Sequence, residues 1–150
     1  MRVLPTGRAS GISQPTTATT APRKKTDMGT GYDPFAHAYA LGIQVVQRNL
    51  TTANGLWVPD IRVIFLRKRM RSIHERSVLA HELGHAILGH RKSTPKNEVL
   101  ADRWAVRKLI DPDSVRQIAA ATDDIGAWCF ELNVSADILD RYLADTRCAS

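Results

Sequence analysis

The chain has 150 residues and a formal net charge of +6, with 43% hydrophobic and 24% charged residues. This length suits one domain with a modest core, and no apolar run reaches the length of a membrane-spanning helix. The two cysteines, Cys129 and Cys148, are not in a Cys-x-x-Cys spacing. We therefore expect a cytoplasmic protein with free thiols and no zinc site built on cysteine.

Residues 1–30 differ in composition from the rest of the chain. They are rich in Thr, Ser, Gly, Pro and Ala, and they contain five Lys or Arg residues against one Asp. Such a segment cannot bury enough apolar surface to become ordered, and it lacks the apolar core of a signal peptide. We expect a disordered basic tail before a domain of residues 31–150, or translation that starts at Met28. A basic arm for nucleic acid is the alternative.

The start of the predicted domain combines a short helix with strand-like segments. Asp33 is a helix N-cap residue, Pro34 suits the first helical position, and the apolar residues that follow predict a helix ending near Gly42. A turn signal, Asn54-Gly55, separates segments of strand composition. These segments are residues 43–47, 56–58 and 61–66. They predict a small sheet of two or three strands.

The motif His-Glu-Leu-Gly-His, which begins at His81, lies inside an apolar run. On an α-helix, His81 and His85 share one face and can bind a single Zn²⁺. Glu82 is rotated by about 100° from His81, so it lies where a general base for the attacking water belongs. The surrounding residues predict a buried helix, which Ser72 would cap with Glu75 in a capping box. Two hydrogen-bonded core histidines are the alternative.

Glu98 is the best candidate for a third metal ligand. Thr94 and Pro95 supply the cap and the first position of a second helix, and Glu98 lies about one turn into it. The preceding helix is expected to stop at Gly89, one turn after His85. If the two helices are antiparallel, Glu98 and His85 lie at the same level. A solvated helix face is the alternative interpretation of Glu98.

Asp102 follows Glu98 by four residues and would lie at the level of His81. Its carboxylate could then accept the ring N–H of His81 that does not face the metal. His90 is a poor third ligand, because on a regular helix nine residues from His81 is about half a rotation away.

The same residues resemble a known family. His-Glu-Leu-Gly-His followed by Glu-x-x-Ala-Asp-x-Trp-Ala-x-x-x-Leu-Ile is similar to the ImmA/IrrE family of zinc metallopeptidases over residues 31–145. The resemblance implies an α+β fold, in which a small zincin-like domain packs a short β-sheet on the active-site helix and is followed by a helical C-terminal part. In zincin-like folds an edge strand beside that helix can receive a peptide by strand addition. We expect residues 61–66 to be this strand, with an ordinary buried strand as the alternative.

The resemblance also implies roles for individual residues. It implies that His81, His85 and Glu98 bind zinc and that Glu82 is the catalytic base. Many relatives have Asn where this chain has Asp102, but this difference removes no ligand and leaves the base in place.

The function implied by the resemblance is zinc-dependent hydrolysis of a peptide bond in a protein. The usual partner in the family is a helix-turn-helix repressor of a phage or mobile element, which is cleaved to release transcription. One alternative is a zinc-containing regulatory module that binds a repressor without efficient proteolysis. Another is a nucleic-acid binder that uses the basic tail, although no basic recognition helix stands out and direct nucleic-acid binding is not expected. No membrane partner is expected, and the oligomeric state stays open.

Overall fold

The computed structural model describes residues 30–150, so the predicted tail and the alternative start at Met28 lie, apart from Thr30, outside the described residues. Within residues 30–150 the chain forms six α-helices, one three-stranded sheet and a short 3₁₀ helix. In chain order they are α1 (Pro34–Ala40), β1 (Gln44–Arg48), β2 (Gly55–Val58), the 3₁₀ helix (Pro59–Ile61), β3 (Val63–Arg67), α2 (Ser72–Ile87), α3 (Pro95–Leu109), α4 (Pro112–Ala121), α5 (Ile125–Leu132) and α6 (Ala136–Cys148). This order confirms the predicted α+β class with a helical C-terminal part.

Three of the helices begin where a capping residue precedes a proline. Asp33, Thr94 and Asp111 each accept a hydrogen bond from a backbone N–H of the first turn of α1, α3 and α4, respectively. The following proline lacks an N–H that would otherwise need a partner. Local chemistry therefore sets where these helices begin. None of the helices in residues 30–150 is both long and apolar enough to cross a membrane.

The predicted cap of α2 is wrong. Arg71 already has the extended backbone of a cap residue, and Ser72 is the first helical residue, so its hydroxyl makes no capping hydrogen bond. Glu75, the expected partner in the capping box, instead accepts a hydrogen bond from the Gln47 side chain at 2.6 Å. This bond ties the first turn of α2 to β1.

The sheet has the strand order β1-β3-β2, so β3 lies in the centre. β1 pairs with β3 in parallel and β2 pairs with β3 antiparallel, with Trp57 opposite Ile64. The prediction that residues 61–66 form the edge strand is therefore wrong. Ile61 belongs to the 3₁₀ helix and Arg62 has a left-handed backbone, with φ of 53°. Ile64 and Leu66 have no exposed surface, because their shared face packs against α1 and α2 and both edges of β3 are paired.

Helix α2 lies between two groups of buried side chains. On one side Leu79 and Leu83 pack with the sheet and α1, and on the other Ala80 packs with the C-terminal helices. Burial on both sides explains why the helix is apolar nearly all round, as the sequence indicates. The buried polar side chains of α2, such as Glu82 and His85, must therefore find their partners inside the protein.

Helices α2 and α3 pack closely at Gly84. A Cβ atom on Gly84 would lie 2.9 Å from the backbone oxygen of Ala101 and 3.1 Å from its Cα. Only glycine permits this approach, since a methyl group would overlap backbone that cannot rotate away. The contact brings the first turn of α3, which carries Glu98, against the face of α2 that carries His81.

Candidate metal centre

Three side chains from α2 and α3 direct ligand atoms at one point. The Nε2 atom of His81 lies 3.0 Å from Nε2 of His85 and 3.0 Å from Oε2 of Glu98. The other carboxylate oxygen of Glu98 lies 3.3 Å from Nε2 of His85. Among the described residues these three form the group that could hold a metal ion.

The hydrogen-bond chemistry at His81 fits a cation at this point. Its Nδ1 lies 2.8 Å from Oδ1 of Asp102, and an ionised carboxylate only accepts hydrogen bonds. Nδ1 of His81 therefore carries the hydrogen, and in the neutral ring Nε2 presents a lone pair toward Glu98. Two acceptors in contact repel each other unless a proton or a metal ion lies between them. The electron pairs of His81 and Glu98 therefore suit a proton or a metal ion at this point.

The pKa values of the two histidines shift in opposite directions. Burial opposes protonation of His81, but the hydrogen bond that its Nδ1–H donates to Asp102 and the charges of the nearby carboxylates outweigh burial and raise its pKa. Burial and the neighbouring His81 lower the pKa of His85, so this ring favours the neutral form that a metal ligand requires.

Two further contacts orient the acidic residues. Glu98 accepts a hydrogen bond from the hydroxyl of Ser93 at 2.5 Å, and Asp102 accepts one from Arg141 of α6 at 3.1 Å. Burial opposes ionisation of both carboxyls, but these bonds and the neighbouring histidines lower the pKa of each. Sequence analysis did not single out Arg141, because nothing in its spacing shows that α6 packs beside α3.

Glu82 lies next to the three convergent side chains and is only 8% exposed. Its Oε2 accepts the backbone N–H of Trp57 in β2 at 2.9 Å. A Cβ atom on Gly55 would lie 2.8 Å from Oε1, so the strand can approach the carboxylate only because residue 55 is glycine. Burial raises the pKa of Glu82 to about 7, against the opposing effects of His81 and the Trp57 N–H. A carboxyl group with this pKa can take up and return a proton near neutral pH.

His90 takes part in the cluster in a way that the sequence analysis missed. Its Nδ1 lies 3.0 Å from Nδ1 of His85, on the side of the ring that does not face Glu98. On a regular helix His90 would point away from His81, but α2 ends at Ile87 and the chain turns at Gly89. The expected helix stop at Gly89 was the signal that could have revealed this contact.

These residues line an open cleft of about 520 Å³. Edge strand β2 forms one side of the cleft, and the loop after α2 and the start of α6 form the rest. Two cationic side chains, Arg91 and Lys92, also line the cleft, and Arg91 forms an ion pair with Asp60.

Comparison with known protein families finds one family model that matches most of this chain. The family model described as the IrrE N-terminal-like domain of a peptidase family matches residues 38–143. The matched span runs from α1 into α6 and includes every residue of the cluster described above. No curated protein matches this chain.

Proposed function

The chain belongs to the IrrE N-terminal-like family of peptidases, and from this premise we propose that it is a zinc-dependent metallopeptidase that hydrolyses a peptide bond in a protein substrate. The observation that carries the proposal is the convergence of His81, His85 and Glu98 beside the buried carboxyl group of Glu82. We assign the first three residues as metal ligands, Glu82 as the general base, and Asp102 as the acceptor that orients His81.

The donor set supports zinc. Two imidazole nitrogens and one carboxylate oxygen are the ligands of many catalytic zinc sites, which leave a fourth position open. Atoms that lie 2.0–2.1 Å from a tetrahedral ion are separated by about 3.3 Å. The two Nε2 atoms are 3.0 Å apart, and each has a Glu98 oxygen at a similar distance, Oε2 at 3.0 Å from His81 and Oε1 at 3.3 Å from His85. Residues 30–150 bring three ligands together at this point, and a three-ligand site suits hydrolysis better than a purely structural role.

The chemistry is divided between the ion and Glu82. When bound, zinc acts as a Lewis acid that polarises the scissile carbonyl and makes a water molecule acidic. Glu82 removes the proton from the attacking water and returns it to the leaving amine. The Trp57 N–H holds one oxygen of Glu82, which leaves Oε1 for the proton. Burial of Glu82, which raises its pKa to about 7, supports both transfers.

We propose that β2, rather than β3, receives the substrate. β2 is an edge strand, and its free edge faces the cleft because the Trp57 N–H points to Glu82. Backbone groups alternate along a strand, so the carbonyls of Gly55 and Trp57 also point to this edge. An extended peptide could pair with them and place its carbonyl near the metal site.

The proposed substrate is a helix-turn-helix repressor of a phage or mobile element, met in the cytoplasm. This proposal rests on family membership and goes beyond what the geometry of the cleft specifies. The cationic side chains of Arg91 and Lys92, which line the cleft, favour an acidic segment of the substrate, since opposite charges promote encounter.

The test is incubation of the purified protein with a repressor encoded beside its gene, with and without chelator. Cleavage should require the metal, and Glu82→Gln should keep about one zinc per chain while it slows cleavage by roughly 10²- to 10⁴-fold. Glu75→Gln is the matched control, because Glu75 lies on the same helix and is bonded to Gln47 outside the site. Cleavage by Glu82→Gln at the rate of the unaltered protein would contradict the proposal. A variant that releases repression without cleavage would favour a binding module.

A further inference from the structure

We propose that His90 is a positioning residue for the metal centre: it accepts the Nδ1–H of His85 and so holds Nε2 of that ring toward His81 and Glu98. The proposal rests on the proposed metal site and assigns a role to a residue outside the three ligands.

The end of α2 explains why His90 lies beside His85. Gly89 has φ of 71°, a left-handed conformation that glycine adopts readily. The His90 N–H donates to the His85 carbonyl at 2.9 Å, and the Gly89 N–H donates to the Ala86 carbonyl at 3.3 Å. This pair of bonds is the Schellman ending, which brings the residue after the glycine against the residue one turn back. In most such endings the two side chains are apolar, whereas here both are imidazoles.

The contact between the two rings fixes their tautomers. Their Nδ1 atoms are 3.0 Å apart, so one hydrogen must lie between them. His85 can offer a lone pair at Nε2 in its neutral form only if Nδ1 carries the hydrogen. His85 must then be the donor and the Nδ1 atom of His90 the acceptor, which leaves the hydrogen of His90 on its Nε2.

The arrangement at His85 parallels the one at His81. His81 donates from Nδ1 to Asp102, and His85 donates from Nδ1 to His90, so both rings present Nε2 to the same point. The His85 and His90 rings also meet at an angle of 66° with centroids 5.2 Å apart, which restricts rotation of His85. Partners of this kind set the orientation and basicity of metal-bound histidines.

The first test is a comparison of zinc dissociation constants, measured by competition with a chromophoric chelator at fixed pH. His90→Ala should weaken zinc binding by roughly 10- to 100-fold. His90→Asn should restore most of the affinity, because Oδ1 of Asn occupies the position of Nδ1 and accepts a hydrogen bond. His74→Ala is the matched control, because His74 lines the same cleft and its Nε2 lies 3.3 Å from the Asn54 side chain, and this variant should bind zinc normally.

Two further measurements separate positioning from general stability. In excess chelator, the midpoint of thermal unfolding should differ little between His90→Ala and His90→Asn. In the zinc-loaded protein, ¹⁵N NMR should detect a Nδ1–H of His85 that is protected from exchange, and this protection should be lost in His90→Ala.

The possible outcomes distinguish this inference from the proposed function. If the unaltered protein binds zinc and His90→Ala binds it equally well, the positioning role is wrong and the metallopeptidase proposal stands. If His90→Asn binds zinc as weakly as His90→Ala, His90 does not act by accepting a hydrogen bond, and the inference is wrong. If the unaltered protein binds no metal, both proposals fail together.

Discussion

At the scale of single residues, Glu82 is held in an environment that disfavours its own charge. The carboxyl group is buried against Gly55 and Val78, and one hydrogen bond from Trp57 only partly compensates for the lost water. Its pKa is therefore raised from 4.5 to about 7. A general base requires a proton that can leave and return near neutral pH. The same burial has a cost, because the ionised form of Glu82 lowers the stability of the folded protein.

This cost predicts a pH dependence of folding in the presence of excess chelator. Because the folded state holds the Glu82 proton more tightly than the unfolded state, stability falls as pH rises from about 4.5 to about 7. The loss should approach about 3 kcal/mol. Glu82→Gln removes this titration, so its free energy of unfolding should exceed that of the unaltered protein increasingly between pH 5 and pH 8.

Urea denaturation at a series of pH values measures the difference. Glu75→Gln, on the exposed first turn of the same helix, should show a difference that is small and independent of pH. A constant difference for Glu82→Gln across this range would mean that the carboxyl group titrates normally in the folded state.

At the scale of elements, the site depends on how closely α2 and α3 approach. A methyl group on Gly84 would meet the Ala101 backbone at 2.9 Å, so the helices must separate to accommodate it. Separation would carry Glu98 away from His81 and His85. The Gly84→Ala substitution should therefore destabilise the protein by about 1–3 kcal/mol and weaken zinc binding at the same time.

The expected change in stability for Gly84→Ala is opposite in sign to the usual effect of this substitution in a helix. In a helix without such a contact, Gly→Ala stabilises by about 1 kcal/mol. Gly126→Ala in α5 is the matched control, because its Cβ would approach the Asp124 side chain, at 3.2 Å, and not the backbone of another helix. Chemical denaturation and zinc titration should give a smaller change in stability for Gly126→Ala than for Gly84→Ala, and a change in zinc affinity for Gly84→Ala alone. Unchanged affinity would show that the helix spacing does not position Glu98.

The elements also show which features could be predicted from the sequence. Caps such as Asp33 and Thr94 depend on neighbouring residues, so they could be placed from local chemistry alone. The central position of β3 depends on how β2 folds back, which strand composition does not encode. Similarly, the level of Glu98 followed from helix geometry, but the contact of Arg141 with Asp102 required knowledge of how α6 packs.

At the scale of the whole molecule, the proposed metal centre joins parts that are distant in the chain. His81 and His85 come from α2, Glu98 comes from α3, and Asp102 is bonded to Arg141 of α6. Helix α2 lies between the two groups of core side chains. A metal ion held by ligands from both α2 and α3 would therefore connect the sheet half of the protein to the helical half. Metal binding should therefore stabilise the whole fold and not only the cleft.

This coupling predicts that thermal stability follows the free zinc concentration. At 100 times the dissociation constant, binding should add about 2.7 kcal/mol, which corresponds to roughly 10 °C in the unfolding midpoint for a domain of this size. Glu98→Gln should reduce this dependence while it leaves the midpoint in chelator nearly unchanged, because Glu98 is largely on the surface of the cleft. Calorimetry at several buffered zinc concentrations measures both quantities.

Hydrogen exchange tests how far the stabilisation extends. If Asp102 and Arg141 connect the metal site to α6, zinc should slow amide exchange in α6 as well as in α2 and α3. The Arg141→Met variant should lose the added protection in α6 and keep it in α2, since the ligands on α2 remain. If zinc slows exchange in α2 alone, the bond between Asp102 and Arg141 orients a carboxylate without connecting α6 to the metal. The helical half of the protein would then unfold independently of the site.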